Sequence, residues 1–131
     1  MAGLRHISKT SRALYAQDGL QFVFGRHTFN GTGEPDVAEG RPFVAAGTDL
    51  DRTGAGLYTL TLPGTGDIDV LHCDFTIIDG TDFVDVVCTA IDESARTFTL
   101  KVYDRETFGT LTDPTDGALL LTQIVLVDTG E

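Results

Sequence analysis

Apolar and polar residues alternate with a period of two along most of this chain, which marks strands rather than helices. Leu57–Leu62 (LYTLTL) sets Tyr58, Leu60 and Leu62 on one face and Leu57, Thr59 and Thr61 on the other. Ile68–Ile78 groups Leu71, Cys73, Phe75 and Ile77; Phe83–Ile91 groups Val84, Val86, Cys88 and Ala90; Arg96–Tyr103 groups Phe98, Leu100 and Val102. Leu20–Gly25 (LQFVFG) reads as a first strand with Phe22 and Phe24 on its core face. Arg41–Ala46 reads as a second strand, whose Pro42 suits an edge or a strand start. Ala118–Val127 closes the chain. Its consecutive Leu119, Leu120 and Leu121 break the alternation, so part of it is buried on both faces or lies in a subunit contact. Between these runs, 27–40 and 104–117 read as long loops, Asp49–Thr53 leads into a turn at Gly54–Gly56, and the Pro63–Gly66 string ends a strand. The only helical signal is a single turn near Ser11–Gln17. The expected fold is all-β: a single-domain antiparallel β-sandwich or jelly roll over 18–131, preceded by a short N-terminal arm over 1–17.

Turn chemistry suggests strand partners. A type II′ turn centred on Gly80 and Thr81 places Cys73 opposite Cys88, Phe75 opposite Val86 and Ile77 opposite Val84. A type I′ turn centred on Asp79 and Gly80 would instead pair Cys73 with Val86. For the next hairpin, matching the apolar faces places Cys88 opposite Leu100 and Ala90 opposite Phe98, because a one-residue slip would turn every side chain over.

Charge divides the chain unevenly. The 131 residues carry 9 Lys and Arg against 20 Asp and Glu, a net charge of −11. Arg5, Lys9 and Arg12 stand in residues 1–17 without a single acid, so the arm is +3 and the remainder is −14. The overall acidity, with a pI near 4.4, argues against nucleic acid as the main partner. No apolar run is long enough to span a membrane, and Met1–Ala16 lacks the apolar segment of a signal peptide.

Candidate chemistry is sparse. His6, His27 and His72 are far apart, and His72-Cys73-Asp74 alternates across a strand, so neither arrangement has metal-ligand spacing. Cys73 and Cys88 read as small core hydrophobes kept as thiols. Asp49 and Asp51, Asp67 and Asp69, and Asp113 and Asp116 could offer oxygens to calcium, but none matches an EF-hand loop, and they are expected to be solvated. There is no nucleophile elbow and no phosphate loop. An enzyme would need a cleft holding His27 or His72 with two or more carboxylates. A sugar-binding module would use Tyr15, Phe29, Phe43, Tyr103 or Phe108 as platforms, without any Trp.

Asp51–Leu62 (DRTGAGLYTLTL), the Cys-containing hairpin, Arg96–Asp104 (RTFTLKVYD), Asp113–Gly117 (DPTDG) and the closing strand together resemble small virion proteins of tailed bacteriophages. These are capsid decoration (cement) proteins and head or tail fibre proteins. The likeness spans 51–127 and rests on strand layout and turn grammar. It implies a non-enzymatic β-sandwich or jelly roll, often trimeric, bound to the capsid exterior after synthesis in the host bacterial cytoplasm. The implied partner is the major capsid protein or another virion protein, with no cofactor and no metal. On that resemblance the arm (Leu4, Arg5, Ile7, Lys9, Arg12, Leu14, Tyr15) would anchor to the shell. Leu119, Leu121, Ile124 and Leu126 would form a subunit interface. A fibre or carbohydrate-binding module is the alternative.

Overall fold

The computed structural model describes residues 19–37, 48–107 and 109–128. They form eight strands: β1 (Leu20–Asn30), β2 (Gly33–Val37), β3 (Asp49–Gly54), β4 (Leu57–Thr61), β5 (Ile68–Ile78), β6 (Val84–Asp92), β7 (Thr97–Asp104) and β8 (Leu119–Asp128). Two antiparallel four-stranded sheets result. Sheet A has the order β2-β1-β8-β5 and sheet B the order β3-β4-β7-β6. The chain is an all-β sandwich, with hairpins β1–β2, β3–β4 and β6–β7 and four crossings between sheets.

Alternation drives the packing. Leu50, Tyr58, Leu60, Phe98, Leu100 and Val102 of sheet B meet Val23, Phe29, Leu120, Ile124 and Leu126 of sheet A in one core. Phe29 packs edge-on against Tyr58 at 5.1 Å between ring centroids, and Phe75 lies tilted against Phe98 at 5.9 Å. Both pairs join the two sheets. Burying one such ring contributes about 2–3 kcal/mol. The tight β3–β4 turn depends on Gly56, at φ +67°, where a Cβ would lie 2.7 Å from the Thr112 nitrogen and 2.8 Å from the Val102 oxygen. No L side chain fits there without moving backbone.

Several expectations are corrected. Phe22 and Phe24 face outward, 50 % and 40 % exposed, while Val23, Gly25, His27 and Phe29 face the core. The larger rings suggested the opposite parity, but Gly25 is the residue that allows close approach: a Cβ there would lie 3.2 Å from Thr122 Cβ. β1 runs on through His27–Asn30 and returns as β2, within the stretch read as a loop. Asp49–Gly54 is a strand paired with β4 rather than a lead-in to a turn. Cys73 and Cys88 do not share a ladder. β5 pairs with β8, placing Cys73 beside Ile124, whereas β6 pairs with β7. Residues 79–83 therefore carry the chain between sheets instead of closing a two-stranded hairpin. On β6–β7, Cys88 does oppose Leu100, but a bulge between Cys88 and Ala90 moves Ile91 opposite Phe98. The readings at Ser11–Gln17 and Arg41–Ala46 lie outside the described residues.

Candidate functional site

The closing strand β8 sits inside sheet A between β1 and β5, and its parity decides which leucines are available to a partner. Leu120, Thr122, Ile124 and Leu126 point into the core and are buried. Ile124 and Leu126, expected at a subunit interface, are fully covered by the chain's own core and have no surface to offer. Leu119 and Leu121 alternate to the outer face, where Leu121 is exposed. Val127 is buried next to Leu126, so the strand is covered on both faces at its end and not at the Leu119–Leu121 run, where Leu121 is exposed.

That outer face carries five of the eight exposed large hydrophobic residues among the described residues: Phe22, Phe24, Leu71, Ile78 and Leu121. Its cross-strand rows are Phe22–Val125–His72, Phe24–Gln123–Asp74, Arg26–Leu121–Thr76 and Thr28–Leu119–Ile78. Ile78 is 53 % exposed, and a bulge between Val70 and His72 turns Leu71 out to the same degree. Large apolar side chains exposed on one sheet face, interleaved with Arg26, His72, Asp74 and Gln123, suit a protein-contact surface. Reading Phe22 and Phe24 as core hid this face from sequence reasoning. The signal that could have found it was the inward need for Gly25 opposite Thr122.

A cleft of about 580 Å³ lies on the other sheet, lined by Asp85, Val87, Tyr103, Asp104, Arg105 and Gly109. The Arg105 guanidinium grips Asp85 with both a terminal nitrogen and Nε, the latter at 3.2 Å. Its hydrogen bonds hold the Asp85 carboxyl below its ordinary value. Of the expected platforms among the described residues, Tyr103 borders this cleft. Phe29 is buried in the core, and Tyr15, Phe43 and Phe108 lie outside the described residues.

Two polar nodes fix the scaffold. Asp113 accepts hydrogen bonds from Arg52 Nε (3.0 Å) and terminal nitrogen (2.8 Å), the Gly56 nitrogen (3.0 Å) and the Tyr58 hydroxyl (2.9 Å). Arg52 foremost holds the Asp113 carboxyl below its ordinary value, and burial followed by Asp113 keeps the Tyr58 phenol protonated. At the other end of the sandwich Arg96, at φ 62°, extends its guanidinium toward the Thr65 and Gly66 carbonyls and Asp128 (3.3 Å). An Arg in the left-handed region costs about 1 kcal/mol, and these contacts offset it. Asp113 was expected to be solvated and is instead the centre of the first node, 13 % exposed. Neither node shows in the local sequence, because each is built by residues 30 to 61 positions apart.

The histidines do not converge. His27 is buried in the core, and His72 stands on the outer face of the same sheet. Burial lowers the His27 pKa. The Thr48 backbone and the Asp49 charge oppose that shift, yet among the described residues neither ring nitrogen has a partner at hydrogen-bond geometry. Among the described residues no three His, Cys, Asp or Glu side chains come together as metal ligands. Asp49 and Asp51 are mutual neighbours, and the Asp51 carboxyl is raised, first by burial and then by Asp49. The expected anchoring residues of the arm, Leu4, Arg5, Ile7, Lys9, Arg12, Leu14 and Tyr15, and His6 with them, lie outside the described residues. No protein-family model matches the chain, and no curated protein or solved structure is detectably similar to it.

Proposed function

We propose that this chain is a non-enzymatic phage virion structural protein, a decoration or cement subunit that binds the capsid exterior. The observation that carries the reading is the outer face of sheet A. It offers Phe22, Leu71, Ile78 and Leu121 to solvent on a sheet whose other side packs against the core. A decoration subunit needs such an adherent face and a soluble remainder, and the −14 body provides self-repulsion between unassembled copies. A lattice presents many copies of one site, so modest contacts at each site add up by multivalency. The +3 charge of residues 1–17 suits acidic residues of the shell. The partner is the major capsid protein or another virion protein, and the subunits assemble as trimers.

The test is cosedimentation with shells of the encoding phage, comparing the full chain, a chain starting at Asp18 and a Phe22→Ser/Phe24→Ser double variant. Retention of the full chain and release of the double variant support the reading. Equal retention of both removes the outer face from the contact. Light scattering on the full chain should give about three times the 14.0 kDa subunit mass. The fibre or carbohydrate-binding reading draws on the Tyr103 cleft. It gains if the chain is a monomer that ignores shells and binds a glycan array through Tyr103.

A further inference from the structure

Among the described residues, one flank of the sandwich is left partly open. The apolar side chains that pack on the core without being covered are Val70, Cys73, Phe75 and Ile77 of β5 and Val86 and Cys88 of β6. All of them belong to the strands that end each sheet on this flank. β5 and β6 approach within 8 Å between Cα atoms, yet they belong to different sheets and share no ladder. Polar contacts hold only the two ends of the seam. At one end Asp79 accepts the Thr115 nitrogen at 2.9 Å, and Asp82 accepts the Thr115 hydroxyl at 2.8 Å. At the other, Glu93 accepts the Ile68 nitrogen through its carbonyl and the Val70 nitrogen through its carboxylate.

Midway between those ends stand the chain's two cysteines, both free thiols and both half-buried. Cys73 lies five residues before the end of β5, and Cys88 lies four residues after the start of β6. At about 3.3 Å per residue the two are nearly level on either side of the 79–83 crossing. Each is the outermost member of a core row, Cys73 next to Ile124 and Cys88 next to Leu100, so both face the space between the sheets. Cys73 is near enough for its charge to add to burial in raising the Cys88 thiol.

We propose that Cys73 and Cys88 are a reversible redox pair whose disulfide staples the two sheets together across this seam. The assignment is independent of the decoration reading. The oxidant is a small organic disulfide. A thiolate of one cysteine attacks it, releasing one small thiolate and leaving a mixed disulfide on the protein. The second cysteine, as thiolate, then displaces the other small thiolate and closes the Cys73–Cys88 bond. Two protein thiols lose two protons and two electrons, and one small disulfide becomes two small thiols. Burial, followed by the neighbouring Cys73, raises the Cys88 thiol pKa. Exchange is therefore slow at neutral pH and faster in mild alkali, because only the thiolate reacts.

The experiment incubates the folded full-length chain with excess oxidised glutathione at about pH 8.5 and reads intact mass and melting temperature. The expected product has lost two hydrogens and carries no glutathione. Its melting temperature rises by about 10 °C, as closing a loop of about fifteen residues predicts, and returns on adding dithiothreitol. Cys73→Ser and Cys88→Ser should each stop at a single glutathione adduct. A wild-type chain that accumulates glutathione adducts without closing overturns the pairing, as does one that closes only in urea. Closure with an unchanged or lowered melting temperature overturns the staple.

Discussion

The β2–β3 flank and the β5–β6 flank both bring the edges of the two sheets side by side, but different forces close them. On the first, Arg52 of β3 donates its backbone nitrogen to Glu34 of β2 at 3.1 Å and its side chain to Asp113, which also holds Tyr58 and Gly56. Directional, charge-assisted bonds fix that flank. Phe29 and Tyr58 beside it are about 1 % exposed. On the second flank, among the described residues, the middle of the seam is held by apolar contact, and its side chains are only partly buried. A sandwich of this size does not need equal sealing on both flanks. Charge-assisted bonds hold one flank, and apolar packing holds the other.

The largest expected effect separates the two flanks by truncating a ring on each. Phe29→Ala removes a fully buried ring and should cost about 3–5 kcal/mol in urea unfolding. Phe75→Ala removes a ring that already touches water, and should cost about half as much, because less transfer energy is lost and the site can rehydrate. Equal losses would mean that the β5–β6 seam is as dry as the rest of the core.

Next is the carboxylate that organises the closed flank. Asp113→Ala leaves the Tyr58 hydroxyl and the Gly56 nitrogen without their acceptor and should cost about 2–4 kcal/mol. Asp113→Asn keeps one acceptor oxygen and should cost less. A loss below about 0.5 kcal/mol for Asp113→Ala would show that water replaces the node and that the apolar contacts alone close this flank.

Acid should dissect the molecule in two steps. His27 has a folded-state pKa below its ordinary 6.5, so below that pH the unfolded chain binds the proton more readily than the native one. Stability contributed by neutral His27 is thus present above pH 6.5 and falls as the pH drops below it. Asp113 and Asp79 behave differently. Both carboxyls lie below their ordinary 3.8, Asp113 through Arg52 foremost. For Asp79, burial pushes upward but the nitrogens of Thr115, Thr81 and Asp82 prevail. Their contribution is complete above about pH 4 and is lost only as the pH falls through their lowered folded values. Melting temperatures across pH 7 to 5 should decline in the wild type and flatten in His27→Leu. That variant should unfold within about 1 kcal/mol of the wild type at pH 7, since it removes ring nitrogens that have no partner. An unchanged slope would assign the acid sensitivity elsewhere.

The contrast between the flanks also shows which features were legible in the sequence. Period-two alternation revealed β4, β5, β6, β7 and β8, and the inward faces of β4 and β7 follow it residue by residue. The Cys88–Leu100 register also followed, because face matching leaves few alternatives in a hairpin. Local pattern does not encode which strand lies beside which when the chain changes sheet. Residues 79–83 have good turn chemistry and still link two sheets, so β5 finds β8 instead of β6. The parity of β1 was misread because ring size outweighed the need for a glycine against Thr122. The Asp113 node was invisible for the same reason as the sheet order: Asp-Pro-Thr-Asp-Gly looks like any polar turn until Arg52, Gly56 and Tyr58 are brought to it.

The smallest expected effect tests whether a charged pair matters by geometry or by burial. Arg105 and Asp85 form a two-pronged pair at the cleft, as Arg52 and Asp113 do at the closed flank, but side-chain exposure is 59 % and 54 % for the former against 21 % and 13 % for the latter. Exposed pairs are screened by water and salt and must order two mobile side chains. Arg105→Ala and Asp85→Asn should each leave the melting temperature unchanged within error, at low salt and at high salt alike. A clear loss for either that vanishes at high salt would show that the cleft rim is held by its ion pair. The open side of the sandwich would then have a polar brace of its own, and the contrast with the Asp113 flank would be one of degree.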